Sequence, residues 1–481
     1  GKLTARERIE MLFDKGAFVE LDMFAQHDCH DFDMQQKRPL GDGVVGGWGK
    51  VNGRTVYAYA QDFTQLGGTV GFAHAKKVCN VIQLARETRS PIVALLDSGG
   101  ARIQEGSGAY SQIFYENIVT SGVVPQISAV MGNCAGGGVY SPALTDFVFM
   151  VDKTSQMFIT GPLVIKEATG EEITMQELGG AKPHSQVSGV CDFVSATDQD
   201  CIQSIRKLLG FLPSSYAEKP PSISNDDDPE RRDDDLARVL PQNRRTPFDM
   251  RKVISSIVDN GDFLEVKAGF ARNMLTGFAR LNGQPVGIVA NQPMVLAGCL
   301  ETNSSDKAAK FYRTCDCYNI PIICLVDVPG YLPGVAEEHK GIIRHGAKML
   351  YGFTEATVPK ITCVVRKAYG GAYSAMGSKA MGSDMVFAWP SAEVAIMGPE
   401  AAVSVLYRKE IESAEDKAKL RREKADEYRE KFTTPYYGAS RQIIDIVIRP
   451  EETRPILIKA LEALKGKQVA APSRKHGNIP L

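Results

Sequence analysis

The sequence predicts an α/β protein built from two similar domains in tandem. Short apolar runs such as residues 91–96 and 321–326 alternate with helical patterns, which is typical of strands covered on both faces in a largely parallel sheet. The chain has 481 residues and so exceeds the size at which one hydrophobic core stops growing. In addition, landmark motifs recur in the same order in the two halves, which indicates an internal duplication.

The first predicted element of each half is an amphipathic helix. In the first half it opens on a capping box formed by Thr4 and Glu7, and Gly16 ends it. The stretch DKGAFVE at 14–20 that follows matches DNGDFLE at 259–265, at an offset of 259 − 14 = 245. We therefore expect both domains to begin with the same helix and strand.

Each half continues as a hairpin, a long helix, a buried strand ending in Asp, a second helix, a buried strand, a glycine-rich loop, a short helix and a strand. The Asn-Gly pairs at 52–53 and 282–283 predict the hairpin turns and match at an offset of 230, as do Asp97 and Asp327. The drop from 245 to 230 places about fifteen extra residues in the first half, around the polar stretch 27–31.

The glycine-rich loops and the segment between the halves complete the duplicated pattern. Residues 138–141 match 371–374 as Gly-x-Tyr-Ser, at an offset of 233. A polar, proline-bearing stretch lies between the halves and predicts a linker. The predicted organisation is an N-terminal domain at 1–222, an acidic linker at 223–235 and a C-terminal domain at 236–481.

Composition excludes several classes of protein. Lys and Arg total 56 against 57 Asp and Glu, with no basic half, which argues against a nucleic-acid partner. No apolar run is long enough to cross a bilayer, and the charged start at 1–8 is unlike a signal peptide, so we expect no direct membrane insertion. The ten cysteines lack paired spacing, which favours reduced thiols. The expected location is the cytoplasm, or the mitochondrial matrix if a removed transit segment preceded Gly1.

Several motifs resemble cofactor-binding or metal-binding sites, but the sequence around them argues against those functions. GDGVVG at 41–46 satisfies a dinucleotide-binding pattern, but hairpin sequence follows it instead of a helix, so it predicts a hairpin. HDCHD at 27–31 lacks the spacing of a tetrahedral metal site and predicts a solvated insertion, so no metal is expected. The charged stretch 409–431 is typical of a solvated or subunit-contacting helix.

The glycine loops are the strongest chemical candidates. In each half, residues 97–102 or their counterpart 327–331 form a first loop, and residues 136–138 or their counterpart 370–372 form a second. A strand that leads through small residues into a helix presents backbone N–H groups at the positive end of a helix dipole. One amide from each loop would make a two-donor oxyanion hole in each domain. The alternative is that the glycines only allow tight turns.

Four long motifs carry a resemblance to a known family. They are DSGGARIQEG (97–106), SGVVPQISAVMGNCAGGGVYSPALTD (121–146), DVPGYLPG (327–334) and RKAYGGAYSAMGSK (366–379). The chain closely resembles the carboxyltransferase β subunits of biotin-dependent acyl-CoA carboxylases, along essentially its whole length. The branch of propionyl-CoA carboxylase, methylmalonyl-CoA decarboxylase and transcarboxylase looks nearest. The resemblance implies two crotonase-like (ClpP-like) ββα superhelix domains and a homo-hexamer, with each active site between the N domain of one subunit and the C domain of a neighbour.

The resemblance also implies roles for the loop residues. In the N domain, backbone amides would hold the thioester carbonyl of acyl-CoA as it enolises; the candidates are Gly100, Ala101, Gly137 and Gly138. In the C domain, backbone amides would hold the ureido oxygen of carboxybiotin; the candidates are Gly330, Tyr331, Gly370, Gly371 and Ala372. The implied cofactor is biotin on a separate carrier protein or domain, with a coenzyme A thioester as substrate and no metal. Ser374 departs from the family pattern and leaves the acyl-chain preference open. The stretch 188–192 lacks the His that family members commonly have near its end, so no role is assigned to Asp192.

The leading hypothesis is carboxyl transfer between carboxybiotin on a carrier protein and a short acyl-CoA, with propionyl-CoA or methylmalonyl-CoA as the expected substrate. The implied partners are a biotin carboxyl carrier protein and either a biotin carboxylase subunit or a membrane decarboxylase subunit. The reverse reaction, in a sodium-pumping decarboxylase, stays open because the same holes serve both directions. Two further alternatives are a biotin-independent crotonase-like hydratase or hydrolase and a non-enzymatic ring.

Overall fold

The computed structural model describes residues 2–244, 246–470 and 472–481. The chain divides into two compact units. The first contains the described residues up to Pro221 together with Lys267–Phe270, and the second contains Ser222–Val266 and Ala271–Leu481. Within the described residues, each unit is built on one eight-stranded sheet.

The first unit has strands and helices in alternation. Its strands are β1 (Val19–Leu21), β2 (Val44–Val51), β3 (Arg54–Gln61), β4 (Ile92–Ser98), β5 (Gln126–Ala135), β6 (Phe147–Val151), β7 (Gln156–Phe158) and β8 (Phe193–Ser195). Its helices are α1 (Ala5–Leu12), α2 (Phe72–Glu87), α3 (Ala109–Thr120), α4 (Tyr140–Ala143), α5 (Pro162–Thr169), α6 (Met175–Gly179), α7 (Ala181–Gln186) and α8 (Asp198–Leu209). The strand order is β1-β2-β3-β4-β5-β6-β8, with β7 beside the end of β5. The three leading strands pair antiparallel and the rest parallel.

The second unit repeats this arrangement. Its strands are β9 (Leu264–Val266), β10 (Met274–Leu281), β11 (Gln284–Asn291), β12 (Ile322–Val328), β13 (Lys360–Tyr369), β14 (Met385–Ala388), β15 (Glu393–Ala395) and β16 (Ile446–Val447). Its helices are α9 (Met250–Ile257), α10 (Thr302–Cys317), α11 (Val335–His339), α12 (Ile342–Glu355), α13 (Gly370–Ala375), α14 (Pro399–Leu406), α15 (Arg408–Ser413), α16 (Lys417–Tyr428), α17 (Pro435–Ser440) and α18 (Thr453–Ala463). The order β9-β10-β11-β12-β13-β14-β16, with β15 beside β13, is that of the first unit.

The landmarks that reveal the duplication make the same hydrogen bonds in both units. Asp14 accepts both backbone N–H groups of the Asn-Gly turn at 52–53, at 3.1 and 2.9 Å. Asp259 accepts those of the turn at 282–283, at 3.0 and 2.7 Å. The carboxylate therefore fixes the hairpin turn to the end of the first helix, which explains why these residues stand out in the sequence.

In the structure, the second glycine loops of the two units correspond at an offset of 234, whereas their Gly-x-Tyr-Ser motifs match at 233. Gly136 and Gly370 directly follow β5 and β13 and have φ values of +60° and +58°, an offset of 370 − 136 = 234. Strand pairing gives the same offset, because Ile127 pairs with β6 as Ile361 pairs with β14. The 233 match is therefore wrong by one residue, and Tyr140 is equivalent to Ser374.

Three other predicted segments can be compared with the structure. The stretch 41–46 leads into β2 and the β2–β3 hairpin, which confirms the hairpin interpretation. The stretch 409–431 contains all but the first residue of α15, all of α16 and the start of a π-helical turn, and it is mostly exposed. The insertion at 27–31 is not wholly solvated, because His27 is buried with Nε2 at 2.7 Å from the carbonyl oxygen of Lys37.

Residues 223–235 pack on the second unit. The backbone N–H of Ile223 donates to the carbonyl of Gly283 at 3.2 Å, and Arg231 donates to the carbonyl of Ser256 at 2.8 Å. All ten cysteines are free thiols. Among the residues with a described position, helices long and apolar enough for a membrane span are absent.

Candidate active site

In each unit, two neighbouring parallel strands end at the same edge of the sheet. Ser98 at the end of β4 pairs with Cys134 near the end of β5, and Val328 pairs with Ala368 at the equivalent positions of β12 and β13. The loops that leave these strands are therefore adjacent, as the sequence predicts. They contain all nine residues that were singled out as candidate donors, four in the first unit and five in the second.

In the first loop of the first unit, the two candidate donors, Gly100 and Ala101, differ in whether their amides are already hydrogen-bonded. Gly100 is buried with a φ of +103°, a region that favours glycine, and its N–H donates to Ser98 Oγ at 3.0 Å. Ser98 Oγ in turn donates to the carbonyl of Gly68 at 2.7 Å. Ala101 is exposed, and its N–H has no hydrogen-bond partner in the described part of the chain. The amide available to a ligand is thus that of Ala101.

The second loop of the first unit opens a short 3₁₀ helix, Gly136–Val139. A 3₁₀ helix is closed by bonds between residues three apart, so its first such bond runs from Gly138 N–H to the carbonyl of Ala135, and the amide of Gly137 is left to donate outward. A methyl carbon added at Gly138 would lie 2.9 Å from Tyr110 Oη, and one at Gly100 would lie 3.2 Å from the carbonyl oxygen of Ala135. The two loops are therefore close neighbours, and Tyr110 of α3 supports the second one from beneath.

The first loop of the second unit differs at one side chain. Gly330 has a φ of +152°, and its carbonyl accepts the N–H of Leu300 at 3.1 Å. Val328 stands where the first unit has Ser98, so no hydroxyl is present to take the amide of Gly330. The N–H groups of Gly330 and Tyr331 both lack a hydrogen-bond partner among the residues described.

The second loop of the second unit is the most open of the four. Gly370 begins α13, and a methyl carbon added there would lie 2.8 Å from the carbonyl oxygen of Ile396. Gly371 is exposed, and no atom lies within 4 Å of where its Cβ would be. Ala372 is buried at the third position of the helix. Free space thus lies directly beside an unpaired helix amide.

Tyr331 turns its side chain away from this space. Its ring packs on α12, since a methyl carbon added at Gly346 would lie 2.9 Å from Tyr331 Oη. Burial raises the pKa of Tyr331 to about 12, so the phenol is protonated at neutral pH. Its contribution to the predicted site is therefore through its backbone.

The carboxylates nearest the loops are committed to ion pairs. Asp97 contacts Lys2 at 2.7 Å and Arg8 at 3.3 Å. Asp327 accepts from Arg366, Nε to Oδ1 at 3.2 Å and Nη2 to Oδ2 at 2.7 Å. Both carboxylates are buried. They hold the strand ends in place and are poor candidates for a general base.

Sequence reasoning missed three of the residues that build the site. Ser98, Tyr110 and Arg366 fix the loops through their side chains. The hydroxyl directly before Gly99 was a usable signal for Ser98, because a Ser side chain readily accepts a nearby backbone N–H. Tyr110 and Arg366 act across the fold, and their spacing in the sequence carries no such signal.

Taken together, each unit presents backbone amides from two adjacent loops, one of which starts a helix. Such donors stabilise a negative charge that develops on a single oxygen without needing a proton of their own. Within the described residues, no group of three or more His, Cys, Asp and Glu side chains is placed to hold a metal ion. The arrangement is suited to holding an enolate or a related oxyanion.

Comparison with known proteins gives concordant results. Residues 1–479 match the carboxyl transferase domain family. The chain is 54% identical to the methylmalonyl-CoA decarboxylase subunit alpha of Propionigenium modestum, over all of this chain and 94% of that protein. It is 50% identical to the biotin-dependent acetyl-/propionyl-coenzyme A carboxylase beta5 subunit of Mycobacterium tuberculosis, over all of this chain and 90% of that protein.

A solved structure is equally similar. The transcarboxylase 12S crystal structure, a hexamer with methylmalonyl-coenzyme A and methylmalonic acid bound, aligns with a TM-score of 0.98 and 50% sequence identity. The alignment covers all of this chain and 93% of that one. This match confirms the predicted fold of two crotonase-like domains.

Proposed function

Because this chain belongs to the carboxyl transferase domain family, we propose that it moves a carboxyl group between biotin on a carrier protein and the α-carbon of a short acyl-CoA. It is an acyl-CoA carboxyltransferase of the propionyl-CoA carboxylase and methylmalonyl-CoA decarboxylase group. The observation that carries the mechanism is the repetition of paired amide loops at equivalent positions in the two units. Transfer between two carriers needs one oxyanion site for each.

The first unit is the proposed acyl-CoA side. Ala101 N–H and the amide of Gly137 would hold the thioester oxygen as the α-proton leaves and an enolate forms, and Gly138 would support that turn through its own helical hydrogen bond. The exposed amide of Ala101 supports this role, whereas Gly100 N–H already serves Ser98. Gly100 would then contribute through its backbone conformation, because its positive φ forms the turn that exposes the amide of Ala101.

The second unit is the proposed biotin side. The amides of Gly330 or Tyr331 and of Gly371 or Ala372 would hold the ureido oxygen, and Gly370 would shape the turn. Unpaired amides beside the open space at Gly371 fit such a group. When bound, biotin supplies the nitrogen that carries the carboxyl group and that takes up the substrate's α-proton after carbon dioxide leaves. This accounts for ion-paired, unreactive carboxylates at Asp97 and Asp327.

Assembly and partners follow from the relatives. The 12S relative is a hexamer, and a homo-hexamer is the proposed state of this chain. The proposed partners are a biotin carboxyl carrier protein and either a biotin carboxylase subunit or a membrane decarboxylase subunit. The ten free thiols support a reducing compartment such as the cytoplasm.

The second candidate function is the reverse reaction within a sodium-pumping decarboxylase. The 54% identity to a methylmalonyl-CoA decarboxylase alpha subunit favours it. The loops serve both directions because each stabilises the same oxyanion from either side. A neighbouring gene for a membrane decarboxylase subunit, in place of a biotin carboxylase, would select this alternative.

The proposed function is tested by incubating the purified chain with methylmalonyl-CoA, with and without free biotin or a biotinylated carrier. We expect release of carbon dioxide that depends on biotin and saturates with it. Malonyl-CoA and longer carboxylated acyl-CoAs in the same assay would define the acyl preference. Release of carbon dioxide at the same rate without biotin would contradict the carboxyltransferase proposal and favour a biotin-independent crotonase-like enzyme.

A further inference from the structure

A buried ionic cluster lies directly behind the glycine loop of the second unit. Tyr369 is the last residue of β13 and immediately precedes Gly370. Its phenol donates to the carboxylate of Glu393, the first residue of β15. The two residues are 6% and 5% exposed, so the hydrogen bond forms away from water. Burial is the main cause that raises the pKa of Tyr369, which keeps the phenol protonated and able to donate.

Two arginines from distant parts of the second unit neutralise Glu393. Arg244 pairs with Glu393 Oε1 from the segment before α9, and Arg429 Nε lies 3.4 Å from the same oxygen. A buried carboxylate is costly unless it is paired in this way. Three segments, which carry Arg244, Tyr369 and Arg429, thus contact Glu393 on β15, and Glu393 in turn holds the residue that precedes the loop.

The ring of Tyr369 also lies between the start of α13 and the segment 396–398 that follows β15. A methyl carbon added at Gly398 would lie 3.4 Å from Cε2 of the ring, so the segment that follows β15 packs against Tyr369. Gly370 itself lies against the carbonyl of Ile396 in that same exit segment. Any movement of Tyr369 would therefore displace the start of α13 and the amides of Gly371 and Ala372.

The first unit lacks this cluster although its backbone is the same. Register places Gln156 at the position of Glu393, because Gln156 pairs with Asn133 as Glu393 pairs with Lys367. Ala135 likewise stands at the position of Tyr369. The first unit therefore forms the same strand-to-helix turn without the Tyr–Glu–Arg cluster. In the part of the chain that the structure describes, the cluster is a feature of the second loop of the second unit alone.

We propose that Tyr369 and Glu393 are positioning residues that hold the Gly371 and Ala372 amides in place for the biotin side of the reaction. This inference rests on the proposed function of the second unit. The hydrogen bond fixes the end of β13, and the arginine pairs fix Glu393. Neither side chain touches the reacting atoms, so both act through the backbone of the loop.

The test measures the two substrates separately in the full-length protein. Biotin-dependent decarboxylation of methylmalonyl-CoA is followed at varied free biotin, and methylmalonyl-CoA affinity is measured by calorimetry. We expect Tyr369→Phe to lower kcat/KM for biotin by about 10- to 100-fold, the range for one hydrogen bond to a charged group. The dissociation constant for methylmalonyl-CoA should stay within about twofold, because that ligand is assigned to the first unit.

Further variants separate positioning from general damage. Glu393→Ala should lower kcat/KM for biotin as much as Tyr369→Phe does. The double variant should lose no more than either single variant, since both changes break the same hydrogen bond. Glu393→Gln keeps an acceptor for the phenol and should recover most of the loss. Tyr351→Phe removes a Tyr–Glu hydrogen bond of 3.0 Å elsewhere in the second unit and serves as the matched control, with unchanged kinetics.

The outcomes distinguish this inference from the function beneath it. If the wild-type chain shows no biotin-dependent reaction, the proposed function itself fails. If the wild type is active and both Tyr369→Phe and Glu393→Ala keep its kcat/KM for biotin, the positioning role is wrong. Equal losses in methylmalonyl-CoA affinity and biotin kinetics would also overturn it, because they would indicate a purely structural cluster. Should Tyr369→Phe fail to fold, Glu393→Gln against Glu393→Ala gives the same comparison.

Discussion

Ser98 and Val328 occupy equivalent positions at the ends of β4 and β12, an offset of 328 − 98 = 230. The hydroxyl of Ser98 takes the amide of Gly100, so the first unit offers Ala101. The side chain of Val328 cannot accept a hydrogen bond, so among the described residues the amides of both Gly330 and Tyr331 lack a partner. A single side chain thus changes which donors a conserved backbone turn presents.

The most direct residue-level prediction concerns Gly371. Gly371→Pro removes one amide from the proposed biotin side, and proline is tolerated in the first turn of a helix. We expect biotin-dependent transfer to fall by about 100- to 1,000-fold, as for the loss of one oxyanion donor, with methylmalonyl-CoA binding retained. Steady-state rates and calorimetry with methylmalonyl-CoA check both parts.

Gly371→Ala is the matched control for that substitution. Its Cβ would meet no atom within 4 Å, and its N–H is kept, so we expect near wild-type transfer unless biotin itself fills the space. Loss of methylmalonyl-CoA binding in Gly371→Pro would show that the two holes are assigned to the wrong substrates.

At the scale of elements, the two units hold the same buried Asp with different cations. In the second unit Arg366, on β13, pairs with Asp327 and stacks on Phe248 at 4.8 Å. The equivalent position on β5 is Gly132, where a methyl carbon would lie 1.9 Å from Asp97 Oδ1. The space that glycine leaves is filled by Lys2 and Arg8 instead, and this anchors the N-terminal helix to the strand ends.

Arg366→Met is therefore expected to destabilise the protein strongly. It leaves Asp327, which is 1% exposed, as an unpaired buried charge, at a cost of about 3–5 kcal/mol. Thermal unfolding of the purified variant measures the effect. Arg408→Met, which removes an exposed pair with Glu412, should change stability by less than about 0.5 kcal/mol. Similar melting temperatures for the two variants would refute the argument.

A second element-level contrast is Lys360 on β13, at the position of Gln126 on β5. Lys360 is buried, and its Nζ donates to the carbonyl of Phe353 at 3.0 Å. Burial, assisted by Lys467, lowers its pKa from 10.5 to about 8. Between these values the unfolded chain binds more protons than the folded one, so stability rises with pH.

Lys360→Met should remove that pH dependence. The melting temperature of the variant minus that of the wild type should fall as pH rises from 8 towards 10.5, because only the wild type gains stability there. Calorimetric scans at half-unit steps of pH measure the difference. A constant difference across this range would mean that the Lys360 ammonium is retained without cost.

At the scale of the whole molecule, the proposed hexamer makes a prediction about mixed assemblies. If each active site takes its acyl-CoA side from one chain and its biotin side from a neighbour, Gly137→Pro and Gly371→Pro chains should complement each other. Random co-assembly of the two should restore about one quarter of wild-type activity, since both halves of a site must come from intact loops. Co-expression with two affinity tags and assay of the doubly purified complex tests this; no recovery would place each site within one chain.

The architecture was predictable from local patterns because each landmark has a local cause. Asp14 and Asp259 bind turns nearby in the fold, and the Asn-Gly turns have positive φ that their residue types favour. The loops at 136–138 and 370–372 were paired correctly, but the Gly-x-Tyr-Ser match was off by one residue because a Tyr-Ser pair matched by chance. Backbone φ at Gly136 and Gly370 corrects it, and the sequence does not report φ.

The duplicated α/β architecture, the four glycine loops and, through long motifs, the carboxyltransferase family can all be recognised from the order of residues alone. Which loop amides are free to bind a ligand is visible only in the folded protein, because it depends on partners such as Ser98 and on open space such as that beside Gly371. The tertiary structure also decides how the loops are held. Arg244, Tyr369 and Arg429 meet at Glu393 from segments up to 185 residues apart, 429 − 244, and contacts at such separation leave no periodic pattern in the sequence.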